Sequence, residues 1–132
     1  MKNTILLVDD NEDMRQLFIE LFNDSDIHVV CFASVAEAKI YLKNPISLSK
    51  VKAIISDLMM GPTDGLEFLT YAKEKAELQH IDFYLLTGSA TPALEPLLKS
   101  SVLTGIIEKP FDVKSMVALL TNSSSYCFQK TI

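Results

Sequence analysis

The stretch TILLVDDNEDMRQLFIELF, residues 4–22, changes its hydrophobic period partway along. Ile5 to Val8 form an unbroken apolar run, the pattern of a strand covered on both faces. From Asn11 to Asn23 the period becomes helical. Met14, Leu17, Phe18, Leu21 and Phe22 fall at i, i+3, i+4, i+7 and i+8, a single apolar stripe. Two acids, Asp9 and Asp10, occupy the junction. A doubly covered strand that hands over at once to an amphipathic helix is the start of a crossover unit, which demands a parallel partner strand further on.

The same handover recurs along the chain. His28 to Ala33 read as a second strand, and Ser34 with Glu37 is a capping-box signature opening a helix to about Leu42, which Pro45 is expected to close. Val51 to Ser56 give a third strand and Asp64 to Ala76 a third helix; Asp82 to Leu86 and Gly105 to Glu108 give the last two strands. Asp112 can cap a final helix whose apolar face is Val113, Met116, Val117 and Leu120. Between the last two strands, Pro92 suits a helical first turn. Pro96 is expected to remove an interior N–H and to disfavour helical geometry at Glu95, so this helix should begin late or bend. Five strands alternating with five helices predict an α/β fold: a five-stranded, doubly wound parallel sheet with right-handed crossovers. Residues 1–122 are expected to be one domain, with 123–132 a tail that is either the natural end or the start of a linker.

Bulk properties narrow the function classes. At 132 residues and 48% hydrophobic content, the chain can bury a substantial single core. The net charge of −5, with no basic run, argues against direct nucleic-acid binding. Cys31 and Cys127 lie far apart without metal-ligand spacing, and Cys31 in its apolar run reads as a buried, inert thiol. The apolar run before Asp9 is too short for a signal peptide or a membrane span, so a cytoplasmic protein is expected.

Parallel strands gather their C-terminal ends along one edge of the sheet, which brings distant residues together. Asp9 and Asp10 follow the first strand, Asp57 the third, Thr87 the fourth and Lys109 the fifth. Each has a simple reading alone: a helix cap, a solvated loop acid, a strand residue, a surface lysine. Jointly they do not. Three carboxylates about 5 Å apart at an effective dielectric of roughly 20 repel by about 3 kcal/mol per pair. Such a cluster persists only with positive charge in it, and a hard divalent cation together with Lys109 would form a phosphate-handling site.

VDDNEDM, SDLMMGPTDG, LLTGSA and EKPF, each at the end of a predicted strand and in this order, resemble the receiver domain of two-component response regulators. The resemblance runs from residue 3 to about 121. It implies the flavodoxin-like (βα)5 receiver fold and a phosphorylation-dependent switch that is not an enzyme beyond assisting its own phosphorylation and dephosphorylation. Asp57 would accept a phosphoryl group from a phosphohistidine of a sensor histidine kinase or histidine phosphotransfer protein. Asp9, Asp10, Asp57 and the backbone carbonyl of Met59 would hold Mg²⁺; Lys109 and Thr87 would engage phosphoryl oxygens, and Gly88 would leave the approach to Asp57 open. Met59 and Ser89 would border the path of a hydrolytic water. The bond from Lys109 to Pro110 would be cis. The signal would pass to the face made by the fourth helix, fifth strand and fifth helix, which would contact an output protein, an effector domain or, on phosphorylation, a second copy. No membrane partner is implied.

Three features depart from the family pattern. Gly61 stands where proline is usual, with Pro62 following; Ile106 stands where a rotating aromatic is common; and Pro96 interrupts the fourth helix. Other readings have their own requirements. A pseudo-receiver that is not phosphorylated usually lacks a site residue. A haloacid-dehalogenase-type phosphohydrolase expects Asp-x-Asp-x-Thr after strand one, against Asp9-Asp10-Asn11-Glu12 here. A flavin carrier expects a hydroxyl- and glycine-rich phosphate loop where these two acids stand.

Overall fold

The computed structural model describes residues 2–59, 64–88, 92–100, 102–109 and 113–121. Five strands, β1 (Thr4–Val8), β2 (His28–Phe32), β3 (Val51–Asp57), β4 (Asp82–Thr87) and β5 (Gly105–Glu108), form one sheet in the order β2-β1-β3-β4-β5. Every neighbouring pair is parallel. The strand order reverses on either side of β1, so the crevice between the ends of β1 and β3 is the topological switch point of a doubly wound sheet.

The helices α1 (Glu12–Leu21), α2 (Val35–Leu42), α3 (Pro45–Leu48), α4 (Gly65–Glu74), α5 (Glu95–Lys99) and α6 (Val113–Thr121) cover both faces. On one face Phe18 and Phe22, with Met116 and Leu120, pack against Ile5, Leu7, Ile55 and Leu86. On the other, Val35, Ala38, Phe68, Leu69 and Leu98 pack against Leu6, Val8, Ile54 and Leu85. Successive strand residues point to opposite faces, so a strand with two covered faces buries its residues on both sides and is mostly apolar. That is why all five residues of β1 are buried. Among the described residues, no helix is long and apolar enough to cross a membrane.

Three expectations need correction. The strict alternation is broken by α3, because Pro45 opens a helix and does not simply end one. Asn44 caps it, accepting from the N–H groups of Ile46 and Ser47 at 2.9 and 3.1 Å, and proline at the first helical position gives up no needed donor. Pro96 likewise removes no interior hydrogen bond. A 3₁₀ turn over Pro92–Leu94 leads into α5, which begins at Glu95 and has Pro96 in its first turn. Glu95 is therefore helical despite the proline after it, although the helix does begin late and lacks a side-chain cap. Cys31 is half-buried rather than buried, with Sγ 3.8 Å from the Arg15 carbonyl. Burial still pushes its thiol up to about 11, so it stays protonated and unreactive near neutral pH. The Asp112 cap, Cys127, Pro110, Ser89, Gly61, Pro62 and the tail lie outside the described residues.

Candidate functional site

Asp9 follows β1 directly, and its side chain is wholly buried. Its Oδ1 accepts from the Asn11 N–H at 2.9 Å, and the Asn11 side chain in turn caps α1 by accepting from Met14 N–H at 3.1 Å. One short turn thus fixes both the carboxylate and the start of the helix. Arg15, in the first turns of α1, donates from Nη1 to the Asp9 carbonyl at 2.8 Å. The sequence reading missed Arg15, although its place shortly after the cap was visible.

Asp57 ends β3 and is buried, whereas Asp10 is exposed. Oxygens from Asp9, Asp10 and Asp57 all lie within 4.8 Å of one another. Lys109, immediately after β5, brings Nζ to 3.7 Å from Asp57 Oδ1. Its own N–H donates to the carbonyl of Thr87 at 2.7 Å, which ties the lysine's backbone to the end of β4. Thr87 is itself buried. The structure therefore brings Asp9, Asp10, Asp57 and Lys109 to one sheet edge and places Thr87 at the end of the neighbouring strand. Met59 is 75% exposed, while its backbone N–H donates to the Asp57 carboxylate.

Burial, the leading cause, pushes both Asp9 and Asp57 above the ordinary carboxylate range, and for Asp57 the charge of Asp9 adds to it. Lys109 pulls both down without cancelling the rise. Asp9 Oδ2 is buried and has no hydrogen-bond partner. A buried carboxylate oxygen left without a partner beside two more carboxylates is a set of hard oxygen donors short of positive charge. These donors fit a divalent cation such as Mg²⁺.

Gly65 explains how the Asp57 end of β3 can sit under a helix. Asp64 caps α4 through a full capping box with Glu67, and the Gly65 N–H donates to the Leu58 carbonyl at 3.0 Å. A Cβ at position 65 would lie 2.6 Å from the Asp57 carbonyl oxygen and 2.9 Å from Leu85 Cδ2. Gly65→Ala should therefore destabilise the fold by about 1–3 kcal/mol, the usual cost of forcing an atom into a packed site. An alanine variant with the parent midpoint in urea unfolding would show that α4 can move off the strand at no cost.

The response regulator receiver domain model matches residues 5–121. Among curated proteins, the chain is 31% identical over 114 residues to the response regulator receiver protein CpdR of Brucella abortus, covering 86% of this chain and 89% of that one. It is 29% identical over 120 residues to the response regulator Rre1 of a Synechocystis strain, covering 90% of this chain but only 50% of the relative. The crystallised chemotaxis protein CheY4 of Vibrio cholerae superposes with a TM-score of 0.81 at 23% identity, covering 94% of this chain and 100% of that one, a likeness of fold. With its doubly wound parallel sheet and the match spanning nearly all of it, this chain belongs to the response regulator receiver domain family.

Proposed function

We propose that this chain is a phosphorylation-dependent signalling switch whose acceptor is Asp57. The observation that carries the reading is the buried Asp57 carboxylate, paired with Lys109 and set against an Asp9 oxygen that has no partner. In the transfer, an Asp57 oxygen bonds to phosphorus while the bond from phosphorus to the donor imidazole nitrogen breaks. The product is an acyl phosphate, and the imidazole leaves as a neutral group after taking up a proton. Lys109 holds one phosphoryl oxygen and the Thr87 hydroxyl donates to another, so positioning and charge neutralisation do most of the catalysis. Asp9, Asp10, Asp57 and the Met59 carbonyl would hold Mg²⁺, which when bound neutralises charge on the transferring group.

The donor in this reading is a sensor histidine kinase or histidine phosphotransfer protein in the cytoplasm. The output face is formed by α5, β5 and α6, and serves an output protein, an effector domain or a second copy. Residues 1–122 act as the receiver unit. Ile106 is buried in β5 and cannot make the large swing of an aromatic ring, so switching here rests on Thr87 and the segment leading into α5. Incubation with acetyl phosphate and Mg²⁺ should add one phosphoryl group, labile to hydroxylamine as an acyl phosphate is. A chain that takes up none at saturating donor is not a phosphorylated switch.

The exposed thioether of Met59 beside Asp57 offers no strong hydrogen bond to orient an attacking water. The phosphoryl group should therefore be long-lived, and Met59→Asn should shorten its lifetime in a discharge assay. An unchanged hydrolysis rate would remove Met59 as its shield.

A further inference from the structure

At the opposite edge of the sheet from the acid cluster, α2 and α3 lead into the start of β3, and the segment after α4 leads into β4. A cleft of about 310 Å³ opens there. Leu42, Pro45, Leu48 and Leu78 give it apolar walls, and Lys43, Tyr71, Lys75 and Glu77 complete its lining. Ile46, next in sequence to the lining residue Pro45, is 71% exposed. Lys39 and Lys75 place their ammonium groups 4.3 and 5.4 Å from the centre of the Tyr71 ring. Among the described residues, no carboxylate lies within ion-pair distance of Lys39, Lys43 or Lys75, even with Glu77 nearby. Two lysines in the lining and a third, Lys39, over the ring of the lining residue Tyr71, none with an ion partner among the described residues, stand out on a chain whose net charge is −5.

We propose that this cleft is a docking site for an acidic peptide segment of a partner protein, anchored by one apolar side chain. Charge complementarity selects the occupant: carboxylates answer the ammonium groups of Lys43 and Lys75, with Lys39 nearby over Tyr71, and the anchor fills the hole. The volume lies at the small end of ligand sites, which run from roughly 300 to 1,000 Å³, and suits a single anchor. The exposed Ile46, adjacent in sequence to Pro45 of the lining, favours an extended ligand such as a peptide over a small organic acid. Because the cleft and the acid cluster lie at opposite edges, docking leaves Asp57 accessible.

The test uses the full chain and a fluorescein-labelled synthetic peptide in which one leucine is flanked on both sides by glutamates. Saturable binding, weakened by added salt, is expected, with amide shifts concentrated in residues 42–48 and 71–78. Lys43 and Lys75 are exposed, so Lys43→Glu/Lys75→Glu should stay folded, with only a small drop in melting temperature from the lost Tyr71 contact and the helix C-termini, while weakening binding by roughly tenfold or more. Asp57→Ala should bind as the parent does. Absence of binding, equal affinity for the charge-reversed variant, or equal affinity for a peptide with glutamines in place of the glutamates would overturn the proposal. So would two other results lost in the same double variant: self-association seen by sedimentation without peptide, or capture by anionic vesicles with no peptide binding.

Discussion

Asp57→Ala should reduce phosphoryl uptake from acetyl phosphate to background, the largest effect expected of any substitution in this chain. Among the described residues, the acids near Asp57 are poorly suited to replace it. Asp9 is wholly buried and committed through Oδ1 to the Asn11 N–H. Asp10 is exposed and, unlike Asp57, has no ion pair with Lys109 among the described residues. Ser56 is buried and turns its hydroxyl to the carbonyl of Asp57, 3.1 Å away, so it is not aimed at the site. Lys109 makes its ion pair with Asp57, 3.7 Å from Oδ1, which favours that carboxylate as the acceptor. The measurement is intact-protein mass after incubation with donor and Mg²⁺. Ser56→Ala should retain full uptake. A phosphoryl group of equal stoichiometry on the Asp57→Ala chain would place the acceptor elsewhere. The variant should stay folded, because removing one of three clustered carboxylates relieves repulsion.

The sheet was legible because β1, β3, β4 and β5 are largely covered on both faces. Ile5 to Val8 are too short for a helix and read as a doubly covered strand, and the periods of α1 and α4 follow from residues that must reach the core. Asp9, Asp10, Asp57 and Lys109 were legible as neighbours because parallel strands force their C-termini together. What stayed hidden depends on close geometry. Pro45 reads equally as the end of one helix or the first residue of the next, and Asn44 decides between them by capping. The same ambiguity hid Pro96, which is harmless in a first turn and costly one turn later. Arg15 looks like a surface residue of an amphipathic helix, and only the turn at Asn11 brings it back to the Asp9 carbonyl. The steric demand at Gly65 arises from β3 and β4 backbone and side-chain atoms that no local pattern reveals.

Mg²⁺ should raise the stability of this chain strongly near neutral pH and weakly in acid. Burial raises Asp9 and Asp57 above the ordinary value of 3.8, and the charge of Asp9 raises Asp57 further. Between 3.8 and those raised values, the folded chain holds more protons at these groups than the unfolded chain does. Stability from these two groups therefore falls as pH rises through that window, and above it the metal-free fold carries the full cost of ionised, crowded carboxylates. A divalent cation requires the ionised form, so its binding releases protons and its benefit grows over the same window. At about 1,000 times the dissociation constant the gain is about 4 kcal/mol. For a domain of this size that corresponds to a melting temperature higher by on the order of 10 °C. Asp57→Asn should show the complementary behaviour, with a higher metal-free melting temperature at neutral pH, a flatter pH profile and a smaller response to Mg²⁺. Thermal unfolding across a Mg²⁺ titration, run at acid and neutral pH, separates these outcomes. A response equal at both pH values and unchanged in Asp57→Asn would mean that the cation binds somewhere other than between these carboxylates.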